Sequence, residues 1–417
     1  MSPLFQALAG YAALVLLAWG VCSDRRAVPW RTVAAGVALQ FALAVAFLKL
    51  PGAQAAFAGL NGAMLAIEAA TRSGTSMVFG FLGGAPLPYA ESAVGASFVL
   101  AFRALPVVLV MSALSALLFH WRILPWLVRL MSLVLEKLLG VGGAVGLSTA
   151  AKVFVGMVEA PLLVKPYLAR VSRGELFIIL SAGMAGVAGT VMALYAGILG
   201  ERVPGALGHI LAASFISAPA AIVFAVLMVP PLGPPTGRDA ALGSLDSSSM
   251  DAIARGTSEG LQLLLNIGAM LIVLVALVAL VALVNQFLAL FPHSGSPWSL
   301  QGVLGFAMAP LAWAAGVPWA EAGVAGRLLG TKLVLNELIA YLDLAALAPE
   351  ALSARSRVIM TYAMCGFANL GSLGIMIGGI ATMVPERRRE VIELGPRTLL
   401  AGTLATLSCG SLVAMLI

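Results

Sequence analysis

The chain has 417 residues, of which 61% are hydrophobic and only 10% charged, with a formal net charge of +6. A soluble domain carries roughly 25% charge, so 24 basic and 18 acidic side chains are too few to cover a water-facing surface of this length. Together with a mean hydropathy of +1.03, this excludes a soluble globular or disordered protein, and the basic excess reads as loop charge beside a membrane, not as a nucleic-acid surface.

A membrane helix needs about 20 apolar residues, and the charge-free stretches supply them. They predict an all-α polytopic membrane protein with eight spans, near 4–22, 31–50, 97–119, 175–199, 206–230, 260–288, 356–383 and 397–417. The first apolar run has no basic residue ahead of it and is followed by Asp24, Arg25 and Arg26, so it is read as a retained span and not as a cleaved signal. Residues 233–258 read as a cytosolic loop leading into a short interfacial helix, and the Pro- and Ser-rich stretch 291–297 as a turn closing the sixth span. Cys22, Cys365 and Cys409 have no metal or redox spacing. His120, His209 and His293 fall near span ends or in loops, which gives a hydrolase no nucleophile constellation and no metal site.

Alternating the eight spans places fifteen Lys and Arg on one side, including Arg25, Arg26, Arg173, Arg387, Arg388 and Arg389, and five on the other. By the positive-inside rule both termini are expected outside a cell (inner) membrane. Arg103, Lys152, Arg327 and Lys332 remain in apolar surroundings and need a separate explanation.

Two segments fit no span. Residues 139–168 and 318–347 are apolar but each places a lysine and a glutamate inside, Lys152 with Glu159 and Lys332 with Glu337. A re-entrant hairpin lining a cavity tolerates buried charge and irregular backbone, where a straight span does not. Each is followed by a glycine-broken helix, reading AGMAGVAGTV at 182–191 and CGFANLGSLG at 365–374. Glu159 and Glu337 are 178 residues apart, and Thr190 and Asn369 are 179 apart. The pattern is an internal repeat, inverted by the predicted topology, as in secondary transporters whose substrate sits at the membrane midplane. The spacing therefore predicts a transporter and is silent about its cargo.

At these residues the chain resembles a known family. The stretches GMVEAPLLVKPY at 156–167, LNELIAY at 335–341 and CGFANLGSLGI at 365–375 are similar to three signatures of concentrative nucleoside transporters. The resemblance implies an elevator-type homotrimer in the lipid bilayer, importing nucleosides and catalysing no reaction. It implies scaffold helices over 1–135, a first transport repeat over 136–232, a cytosolic loop, interfacial helix and scaffold helix over 233–315, and a second transport repeat over 316–417. It also implies that Glu337, Asn369 and Ser372 hold the ribose, that Phe367 flanks the base, and that Glu159 and Val191 face it.

The chain departs from the family pattern twice. Met157 and Val158 stand where well-studied members carry base-binding Gln and Thr, which leaves base recognition to shape, apolar contact and Glu159. The sodium site maps onto Lys152, Val155, Gly186 and Val187, so both of its side-chain ligands are replaced. The expectation is a sodium-independent carrier, using protons or facilitating diffusion, with no cofactor. The alternatives are a sodium symporter with an altered ion site and a carrier of another ribosylated metabolite.

Overall fold

The computed structural model describes residues 2–90, 97–236, 246–288, 290 and 300–417, which hold helices and turns without a strand. The chain begins with three long helices, α1 (Pro3–Gly20), α2 (Trp30–Lys49) and α3 (Pro51–Phe79). The first two are the expected spans. The third lies outside the eight predicted ones, because Gln54, Asn61, Glu68 and Arg72 dilute its hydropathy. The next predicted span is interrupted at 104–105 into α4 (Leu100–Arg103) and α5 (Pro106–His120). Arg103 at this interruption donates to the carbonyls of Phe81 and Leu82 and to Ser97 Oγ, which explains one of the four misplaced basic residues.

A second helix absent from the predicted spans, α6 (Ile123–Leu139), follows at once. It is amphipathic: Val128, Ser132, Leu135 and Leu139 are buried while Trp126, Leu130 and Leu138 are exposed. The hairpin expected at 139–168 rises through α7 (Gly143–Ala151), turns over 152–158, and returns as two single turns, α8 (Glu159–Leu162) and α9 (Lys165–Leu168). Pro161 and Pro166 explain the fragmented return. The first broken helix is α10 (Arg173–Met184) and α11 (Gly189–Leu199), and α12 (Ala206–Met228) completes the repeat.

The interfacial helix expected near 258 is not separate. Helix α13 runs unbroken from Ser249 to Leu288, because Arg255 pairs with Asp246 at 2.6 Å and with Glu259 at 2.8 Å instead of ending the helix. The Arg255 guanidinium holds the Asp246 carboxyl below its ordinary range. The turn expected at 291–297 lies outside the described residues. Helix α14 (Leu300–Ala314) was not among the predicted spans, and it meets α15 (Trp319–Val334) at 116°. With α16 (Glu337–Ala346), α15 forms the second hairpin. The second broken helix is α17 (Ala354–Met364) and α18 (Leu370–Met383), and α19 (Arg388–Leu416) closes the chain. Six stretches are long and apolar enough to cross a membrane among the described residues, or seven if the bent pair is one span.

Helices α10, α11, α12 and α19 form the middle of the molecule: 89% of the most apolar stretch of α10–α11 and of α12 is buried, and 72% of that of α19, against 33% for α1 and 22% for α2. The three cysteines are free.

Candidate functional site

The polypeptide breaks bring the site together. Each interrupted helix loses its hydrogen-bond ladder at a glycine-bearing stretch, 185–188 and 365–369, leaving carbonyls and N–H groups to find partners. The breaks use each other: Phe367 N–H donates to the Gly186 carbonyl at 3.3 Å. The hairpin supplies another link, since Gly189 N–H donates to Phe154 C=O at 3.2 Å.

At the second break, Asn369 caps α18 by accepting from Ser372 N–H at 2.7 Å through Oδ1. Its Nδ2 then donates to Glu337 Oε2 at 3.0 Å. Glu337 is the first residue of α16, whose own cap is Asn336, accepting from Ile339 N–H at 2.9 Å. A carboxylate at a helix N-terminus is favoured by the backbone dipoles. The other oxygen, Glu337 Oε1, accepts from the Tyr195 hydroxyl of α11 at 2.7 Å. Glu337, Asn369, Ser372 and Tyr195 are all buried, so this polar cluster joins both repeats inside the protein. Tyr195 was absent from the sequence reading, although it lies one helical turn beyond Val191 and so shares its face.

Glu337 forms no ion pair with Lys332 or Arg327 within 4 Å. Lys332 instead donates to Thr406 Oγ1 at 3.1 Å and to the Ala363 carbonyl at 3.5 Å. Arg327 lays its stem against Gly305 of α14.

The first hairpin departs from expectation at its glutamate. Glu159, read from sequence as buried, is exposed at the start of α8, its carboxylate turned back beside Gly156. The neighbouring pair is packed. A methyl group on Gly183 would sit 3.3 Å from Met157 Cβ, and one on Gly379 would sit 2.7 Å from Val158 Cγ1. The glycines thus let the hairpin tip wedge between α10 and α18. Val191 is buried and Phe367 is half-buried.

Lys152 neither snorkels nor pairs with Glu159. It is buried, and its ammonium donates to the Gly186 carbonyl at 2.9 Å and lies 4.7 Å from the Phe367 ring centroid, in cation–π range. Gly186 leaves the necessary room: a methyl there would meet Lys152 Nζ at 3.7 Å and Ser217 Oγ at 3.1 Å. A cavity of about 10 Å³, the size of one water, is lined here by Thr149, Lys152, Val153, Gly186, Val187 and Ser217. Thr149 Oγ1 is buried without a protein partner. Val155 remains half-buried at the hairpin turn. The cluster brings a positive charge, carbonyls and hydroxyls together, with no carboxylate among the described residues within ion-pair distance of the lysine.

Among known proteins, the family models described as "Na+ dependent nucleoside transporter N-terminus", "Nucleoside recognition" and "Na+ dependent nucleoside transporter C-terminus" match residues 9–82, 101–202 and 209–414. The nucleoside permease NupC of Helicobacter pylori is 34% identical over 420 residues, covering 100% of this chain and 98% of its own. The putative nucleoside permease NupX of Escherichia coli is 32% identical, covering 98% and 97%. A solved structure of CNTnw in an inward-facing substrate-bound state superposes with a TM-score of 0.89 at 35% identity, covering 99% of this chain and 98% of that one. With its two hairpins, two broken helices and three signature stretches in place, the chain belongs to the concentrative nucleoside transporter family, a family of permeases and not of enzymes.

Proposed function

We propose that the protein is a carrier of nucleosides across the cell membrane, with Glu337, Asn369 and Ser372 holding the ribose. The observation that carries this reading is the Glu337 carboxylate, buried at the mouth of a half-helix and hydrogen-bonded from both repeats. A buried acceptor kept at such cost in an apolar interior suits a hydroxyl-bearing cargo, and rejects analogues that leave it unpaired. Phe367 flanks the base; Met157, Val158, Glu159 and Val191 form its other surroundings. With an apolar pair at Met157 and Val158, the base is recognised by shape more than by hydrogen bonds, and selectivity among bases is broad.

We infer further that transport does not use sodium at the position mapped onto Lys152, Val155, Gly186 and Val187. The lysine places its own ammonium on the Gly186 carbonyl, beside the positions where a cation would otherwise be coordinated. Movement then runs on protons or by facilitated diffusion. The carrier works as a homotrimer in the cytoplasmic membrane by an elevator cycle, with both termini outside. The family descriptions name sodium, which is the observation behind a second reading, a symporter with a rebuilt ion site.

Uptake of labelled uridine into sealed proteoliposomes, with sodium replaced by choline, separates the two. The initial rate is expected to stay within about twofold. Loss of uptake in choline would return the protein to the sodium-coupled class.

A further inference from the structure

We propose that Tyr195 is a positioning residue for sugar recognition: its hydroxyl orients the Glu337 carboxylate and thereby sets how sharply ribonucleosides are separated from deoxy analogues. The inference rests on the reading of Glu337 as the ribose acceptor.

An ionised carboxylate offers about four lone-pair directions. Two are taken by other side chains here, one on Oε1 by Tyr195 Oη at 2.7 Å and one on Oε2 by Asn369 Nδ2 at 3.0 Å. These two donors leave acceptor capacity on the carboxylate for a vicinal diol. The terminal torsion of a glutamate is broad, so a donor on each oxygen is what holds the carboxylate plane in one orientation. Both donors are themselves fixed. Asn369 cannot turn without releasing Ser372 N–H from its Oδ1. Tyr195 is held by its ring, which packs on Tyr341 with centroids 5.1 Å apart and planes at 44°. Tyr341 is fixed in turn by donating to the Thr361 carbonyl at 2.9 Å.

The two donors come from different repeats, Tyr195 from α11 and Asn369 from the cap of α18. The carboxylate therefore takes its diol-accepting orientation only when the broken helices and the second hairpin are assembled together. Removing the tyrosine hydroxyl leaves Oε1 buried without that donor and frees the carboxylate to turn.

The test compares wild type and Tyr195→Phe, which keeps the ring and its packing on Tyr341. Uridine and 2′,3′-dideoxyuridine are measured in proteoliposomes by uptake and by competition, and again in detergent by ligand-dependent thermal shift, which needs no transport. In the variant, the uridine KM and dissociation constant are expected to rise about tenfold, the effect of one lost charge-assisted hydrogen bond. Maximal rate is expected within about twofold of wild type, and dideoxyuridine affinity unchanged, so that discrimination between the two falls about tenfold. Equal losses for uridine and dideoxyuridine would make Tyr195 a merely structural residue and overturn the proposal. Wild type that binds the two equally would instead overturn the ribose reading of Glu337. Dideoxyuridine binding to the variant also reports on folding, because a collapsed protein loses both ligands.

Discussion

Lysine inside a membrane protein is expensive unless its ammonium finds acceptors, and Lys152 and Lys332 each reach a backbone carbonyl, Lys332 beside the Thr406 hydroxyl. Lys152 reaches the Gly186 carbonyl at the first break, and Lys332 reaches the Ala363 carbonyl just ahead of the second. Each charge thus sits at the C-terminal end of a half-helix, where the backbone dipole is negative. For Lys152 the consequence is testable by reversal. Replacing Lys152→Asn together with Gly186→Ser restores an amide and a hydroxyl beside the same carbonyls, and sodium is expected to stimulate uridine uptake in this variant and not in wild type. The absence of any stimulation would count against the mapping of the ion site. At this scale, charged residues in apolar runs were readable because nothing else explains them, and this found Glu337 and Lys152. Tyr195 was not, since an aromatic on an apolar helix has the same signature whether it packs or donates a hydrogen bond. Glu159 was read as buried from its neighbours, yet in the single turn after the hairpin tip it faces outward while Ala160 and Pro161 are buried, a reversal that local hydropathy does not record.

Broken elements need their ends satisfied, and arginines satisfy two of them. Arg357 donates to the carbonyls of Leu344, Leu347, Ala348 and Leu352 at the end of the second hairpin, and Arg387 donates to Leu168 and Val171 at the end of the first. The first repeat has a further tie. Glu175 forms a capping box with Ser172 and also accepts from Thr236 N–H at 2.8 Å and Thr236 Oγ1 at 2.9 Å, fastening the segment after α12 across the foot of the hairpin. Thr236 C=O in turn accepts from Ala144 N–H at the start of α7. Glu175→Ala is expected to cost about 2 kcal/mol, read as a thermal transition in detergent lowered by several degrees; an unchanged transition would show that the segment does not brace the repeat. The hairpins and broken helices were visible in the amino-acid order because glycine, proline and isolated charge mark them. Helices α3 and α6 were not visible, since polar residues spread along one side of each keep any window below the threshold of a span. The two predicted elements that merge into α13 were separated by Arg255 and Glu259, a pair that lies side by side on one helix face.

For the whole molecule, burial divides the helices into a wrapped interior and an outer shell. The outer shell exposes Leu4, Leu8, Leu16 and Phe41, among others, which suits lipid or another copy of the chain. Charge asymmetry predicts the direction of insertion. Arg202 and Arg389 are both exposed and were assigned to opposite sides. In a cysteine-free background, Arg202→Cys is expected to react with an impermeant maleimide on intact cells, and Arg389→Cys only after permeabilisation. The opposite result would invert the orientation.

The ammonium of Lys152 is bonded to the chain, which distinguishes it from any ion that is picked up and released. In an elevator cycle it travels with the loaded carrier and comes back with the empty one, so over a full turnover it moves no net electrical charge. A neutral nucleoside carried without a proton would then produce no steady current across the membrane. Any current that does accompany uridine would count the coupling ions alone.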